Sequence, residues 1–244
     1  MLAPIVAALL TATPAPDALT LAARCQCQTA PDVDACARER RPLLEPIVRD
    51  LLDVTQDAAE DVPVDVRLVL LAVACRESSY SPAPTCGADP AAVAECAGGL
   101  YADPRAWHRC VVEHGGRRGC SDSGRAAGMF QLHRWAWRSM KPEHPHDHIA
   151  AARWYVETLA RNVRTVVPRK CGRRRVARWT DAERWAVAAY RLGRGPRNAD
   201  GSQRCEPYDE RGRLVSIYVR WAVGWYAKSP NAWRLGAEDA AKND

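Results

Sequence analysis

A mainly α fold is predicted by three observations. Apolar residues recur at helical spacing in several separate stretches, two of those stretches carry explicit start signals, and no stretch shows sustained strand alternation. At 244 residues the chain is long enough to bury a substantial core, and its length suits one domain with an insertion better than two full domains. Its charged and apolar fractions, 26% and 47%, are those of a globular protein, which excludes wholesale disorder.

The first element is a leader. "MLAPIVAALLTATPAPDA" joins a short apolar run to small residues and prolines, without a basic start, and predicts a signal peptide over 1–20. Leu2 to Leu10 is too short to span a bilayer and no later run is longer, so no stable membrane span is expected. A helical extension containing cysteines follows over 21–60, where Leu44, Ile47, Val48 and Leu51 form one apolar stripe. Ten cysteines, an even number, read in an exported chain as a disulfide framework, which places the protein in a periplasmic or secreted compartment. Only Cys25 and Cys27 lie close together, without a second pair at a finger-like interval, so the spacing argues against zinc. The pairings are not readable from the sequence.

The main domain is expected over 61–230. Its first helix starts near Val64 or Asp65 and sets Val66, Val69, Leu70, Val73 and Glu77 at helical spacing, with Pro82 stopping it. From 83 to 124 the pattern dissolves into Gly, Pro and Asp around Cys86, Cys96, Cys110 and Cys120, and is read as a loop-rich insertion stapled by disulfides. A helix is predicted between Asp147 and Val167, with Asp147 as N-cap and Tyr155, Leu159, Val163 and Val166 inward. Thr180 and Glu183 form a capping box for another, which buries Trp185, Ala188, Ala189 and Leu192 and stops at Gly193. Leu214, Ile217, Tyr218, Trp221 and Trp225 make the last stripe, and 231–244 is a tail.

Chemistry concentrates in three motifs. In "CRESSYSP" an almost wholly apolar run ends at Glu77, where lost hydration disfavours the charged form and suits a general acid; the bland alternative is a glutamate paired with Arg76 or another arginine. "GRAAGMFQLH" spaces two glycines four apart before Gln131, and reads as a tight helix start or as a binding loop. In "AVAAYRLGRGP" the Tyr190 hydroxyl either orients a buried carboxyl or belongs to the edge of the core.

In this order the motifs resemble the bacterial soluble lytic transglycosylases, relatives of goose-type lysozyme. Glu77, Ser78 and Pro82 match that family's E-S-x-x-x-P. Gly128, Met129, Phe130 and Gln131 match G-x-M-Q with Phe130 replacing methionine, and Ala189, Tyr190, Arg191, Leu192 and Gly193 match A-Y-N-x-G with Arg191 replacing asparagine.

The resemblance implies a lysozyme-like helical domain that cuts the β-1,4 bond between N-acetylmuramic acid and N-acetylglucosamine in peptidoglycan glycan strands. Glu77 would be catalytic, Ser78, Met129, Phe130, Gln131, Tyr190 and Arg191 would bind substrate, and no cofactor is needed. The substrate's own 6-hydroxyl attacks, leaving 1,6-anhydro ends, so no second carboxylate is dictated. A hydrolytic muramidase that takes its second acid from Asp89, Glu95, Asp103, Glu113 or Asp122 is one alternative. A non-catalytic wall-binding protein, invited by Arg191, is the other.

Three further features have competing readings. The basic stretch "PRKCGRRRVAR" at 168–178, with the net charge of +6, favours polyanions or is a solvated connection; no recognition motif accompanies it, so nucleic acid is not an expected partner. Trp135 and Trp137 are candidates for stacking on sugar rings, while Trp185, Trp221 and Trp225 read as core. His144, His146 and His148 in "EHPHDH" have the residue type for a metal but read as an exposed linker, so no metal is assigned.

Overall fold

A computed structural model describes residues 17–57, 64–81, 86–94, 96, 104–119, 125–133, 136, 147–192 and 205–228, with backbone alone at 56–57, 64–68, 90, 94, 104, 190–192 and 224–228. The protein is mainly helical. Among the described residues the strands are two pairs of residues in one hairpin.

Helix α1 (Ala18–Gln26) is capped by Asp17, whose side chain accepts from the Thr20 amide at 2.6 Å and pairs with Arg41 at 3.0 Å. Ala18 and Leu19 are buried, so the leader expected over 1–20 overlaps residues that pack into the core. The turn after α1 is closed by Cys27 and Cys36, which stand at disulfide distance, and leads to α2 (Val33–Asp57). The predicted stripe is buried there at Leu44, Val48 and Leu51, with Ile47 half-buried.

Helix α3 (Val64–Ser78) is the centre of the fold. Every residue from Val69 to Cys75 is buried, as an apolar run without a polar face requires. It packs against α1, α2 and two later helices. It ends at Ser78, before Pro82: Ser79 and Tyr80 adopt φ of 53° and 64°, and their amides return to the carbonyls of Cys75 and Ala74. Two consecutive non-glycine residues in the left-handed region carry strain that the surroundings must hold. Tyr80 is fully buried and donates to the Leu71 carbonyl at 2.9 Å, and Gln26 of α1 donates to the Ser79 carbonyl at 2.7 Å.

The segment read as a loop-rich insertion contains two helices, α4 (Pro90–Ala94) and α5 (Pro104–Glu113). Trp107 and Val111, four apart on α5, bury with Cys86, Ala88 and Val93 in a small separate cluster. Cys96 and Cys110 stand at disulfide distance, 6.0 Å between Cα atoms. The Gly-Pro-rich composition concealed α5, whose apolar face is only two turns long.

Strands β1 (Ala126–Ala127) and β2 (Leu132–His133) pair antiparallel, Ala126 with His133 and Ala127 with Leu132. The "GMFQ" motif is therefore the loop at a hairpin tip and not a helix start.

Helix α6 (His148–Arg161) starts at Asp147, which accepts from the amides of Ile149 and Ala150 as predicted. Tyr155 and Leu159 are buried, Val163 and Val166 half-buried. Over Asn162–Val166 the helix widens to a π-turn before α7 (Val167–Cys171). Pro168 lacks the amide that an α-turn would aim at Arg164, which accounts for the widening. A short α8 (Arg173–Val176) leads to α9 (Asp181–Leu192), whose capping box forms: Glu183 accepts from the Thr180 amide at 2.6 Å and its own amide reaches the Thr180 hydroxyl at 3.3 Å. Trp185, Ala188 and Ala189 are buried on the predicted face. Helix α10 (Ile217–Lys228) packs along α3. No helix among the described residues is long and apolar enough to cross a membrane.

Candidate active site

Glu77 lies four residues after Val73 on α3, and this spacing brings both to one cleft of ≈ 200 Å³. The β-hairpin contributes Phe130, Gln131, Leu132 and His133; α6 contributes Trp154 and Tyr155; α9 contributes Ala189 and α10 contributes Tyr218. Glu77 is the one carboxylate among the described lining residues.

The Tyr218 hydroxyl donates to Glu77 Oε1 in a short contact. Burial first, then the charge of Glu77, pushes the Tyr218 phenol well above its usual range, so it stays a donor across ordinary pH. One turn along α10, Trp221 stacks under Arg76, whose guanidinium carbon lies 5.7 Å from the ring centroid. The arginine that the bland reading would pair with Glu77 is thus engaged elsewhere, and among the described residues Glu77 forms no ion pair.

Behind the carboxylate the Tyr155 ring stacks on Phe130, with centroids 5.8 Å apart and planes at 24°. Burial, and secondarily the Glu77 charge, also raises the Tyr155 phenol. Its hydroxyl has no hydrogen-bond partner among the described residues, and Tyr155 lines the cleft. At the hairpin tip, Gly128 has φ 73° and Gln131 φ 46°, and the Gln131 amide folds back to the Gly128 carbonyl at 2.9 Å. That bond fixes the glutamine at the cleft wall and occupies one of its donors.

The predicted site residues divide. Glu77, Phe130 and Gln131 meet in the cleft. Met129 is fully buried in the core instead, and the Ser78 hydroxyl bonds back to the Ala74 carbonyl at 3.1 Å, so neither lines the wall. Tyr190 and Arg191 lie on α9 by backbone, with side chains outside the described residues, as are Trp135 and Trp137. Asp89 caps α4 and Glu113 is exposed on α5; Glu95, Asp103 and Asp122 fall outside the described residues. His148 pairs with Asp50 of α2 at 2.8 Å, while His144 and His146 fall outside the description.

The sequence reading missed Tyr218, Tyr155, Trp154 and His133. Tyr218 and Tyr155 were each placed on a buried stripe as core. The available signal was their hydroxyl, which a buried tyrosine must satisfy. Comparison with protein-family models, with curated proteins and with solved structures gives no match.

Proposed function

We propose that this protein is a lytic transglycosylase of the lysozyme-like fold, acting on peptidoglycan glycan strands outside the cytoplasm. The observation that carries the reading is the one carboxylate among the described lining residues of the cleft, Glu77, at the end of a buried helix and held through one oxygen by Tyr218. Oε2 has no partner among the described residues and is the oxygen that would carry the proton. Glu77 protonates the glycosidic oxygen as the bond to the muramic acid anomeric carbon breaks. The resulting carboxylate then takes the proton of the 6-hydroxyl as that oxygen bonds the same carbon and closes the 1,6-anhydro ring.

Two-carboxylate hydrolysis needs a second acid roughly 5 to 9.5 Å from the first. The absence of one among the described lining residues supports an internal nucleophile over water. In this reading Phe130 and Gln131 belong to the sugar-binding wall, and Tyr190 and Arg191 are carried as substrate-binding residues by the resemblance alone. The chemistry requires no metal or cofactor. The paired cysteines support an oxidising compartment.

Digestion of purified peptidoglycan in water enriched in oxygen-18 tests the route of attack. Internal attack releases fragments with no label at the new ends. Label incorporation would establish a hydrolase, and no release by folded protein would leave a wall-binding role.

A further inference from the structure

A strongly charged segment lies outside the described lining of the cleft. From Thr158 to Thr180 the sequence contains no Asp or Glu, and Arg169, Lys170, Arg173, Arg174, Arg175 and Arg178 are all exposed. A charge run of this kind is ordinarily a solvated connection, but this one is held in place. Val167 just before it and Val176 within it are buried, and Cys171 stands at disulfide distance from Cys205, with 5.4 Å between Cα atoms. Gly172, at φ 88°, supplies the left-handed residue that separates α7 from α8.

One of the six cations is neutralised: Arg175 pairs with Glu206 and lies over Trp179. The other five form no ion pair among the described residues. Like charges held this close in sequence repel within a Debye length of about 8 Å, a cost that a bound polyanion removes.

We propose that this segment is a binding surface for a linear, base-free phosphate polymer. Guanidinium forks, four of the five unpaired cations, match the paired terminal oxygens of a phosphate. The segment 168–178 contributes no aromatic side chain to stack on bases and no amide or hydroxyl side chain to read sugars. Its one valine, Val176, is buried and unavailable to enter a bilayer, and the neighbouring Trp179 is half-buried against the core with Arg175 over its ring. The proposal does not rest on the glycan-cleaving reading.

The test is titration of the full chain with long-chain inorganic polyphosphate, beside an Arg169→Gln/Arg173→Gln/Arg174→Gln variant whose fold is checked by circular dichroism. The wild-type protein is expected to bind at about 0.05 M salt with affinity falling as salt rises, and the variant to bind at least about tenfold more weakly. A variant that binds as tightly overturns the proposal, as does a wild-type protein that does not bind. So does equal or tighter binding, at matched anion concentration, of poly-glutamate, a single-stranded oligonucleotide or phosphatidylglycerol vesicles.

Discussion

Joining Cys25 to Cys75 ties α1 to the end of α3 two residues before Glu77, and the sequence separation of 50 sets what that tie is worth. In the chain-entropy account, closing such a loop removes about 14 cal/mol/K from the unfolded chain, or about 4 kcal/mol at 25 °C. The Cys27–Cys36 closure lies inside this loop and shortens it by 9 residues, which changes the logarithm little. A Cys25→Ala/Cys75→Ala variant is therefore expected to lose about 4 kcal/mol, a fall in Tm of roughly 8 to 16 °C for a chain of this size. The assay is differential scanning calorimetry without reductant, with peptide mapping of the wild-type protein to establish the bridge. Activity should fall as well at temperatures where the variant is folded, because the strained Ser79–Tyr80 turn then keeps, among the described residues, only the Gln26 hydrogen bond and helix packing to hold it to α1. A shift below about 2 °C would refute the reasoning, since it would mean that the bridge does not constrain the unfolded chain.

Tyr218→Phe keeps the ring and removes the donor to Glu77; with a charge-assisted bond worth about 1.5–3 kcal/mol, kcat on peptidoglycan should fall roughly 10- to 100-fold at little changed KM, and an unchanged kcat would remove Tyr218 from the mechanism. Tyr80, Tyr155 and Tyr218 all have phenols raised by burial above 10.0, so their contribution to stability is complete below that pH and is lost as the pH rises beyond it. Tm should accordingly be flat to about pH 9 and then fall, with these phenols ionising only as the protein unfolds; free titration of all tyrosines in the folded state would contradict this. Burial opposes ionisation of Glu183, but the Thr180 amide and hydroxyl and the Tyr208 hydroxyl outweigh it and hold the carboxyl below its usual range. The cap's charged contribution is present above the unfolded value and lost as pH falls through the folded one, so Thr180→Ala should cost about 1 kcal/mol at neutral pH and less in acid; equal loss at both would argue against the capping box.

The helices that were legible were those whose burial and ends are written locally. Leu44, Val48 and Leu51 repeat at helical spacing, and Asp147 and Thr180 announce their helices by side-chain chemistry that reaches only three residues. The β-hairpin was not legible, because strands of two residues are too short to show alternation and the turn depends on φ values at Gly128 and Gln131. Helix α5 was hidden by the prolines and glycines around it. In the site, Glu77 was legible because an acid at the end of an apolar run is costly. Tyr218 was not, because its partner is 141 residues away and its own stripe explains it as core. Gln131 was found by motif, whereas Met129, two residues before it, is buried in the core.

The most direct test of the central claim is mass spectrometry of peptidoglycan digested by the wild-type protein and by Glu77→Gln, with both folds checked. The account predicts muropeptides ending in 1,6-anhydro-muramic acid from the wild-type protein and none from the variant. Anhydro products from Glu77→Gln at wild-type yield, or reducing ends in place of anhydro ends from the wild-type protein, would contradict it.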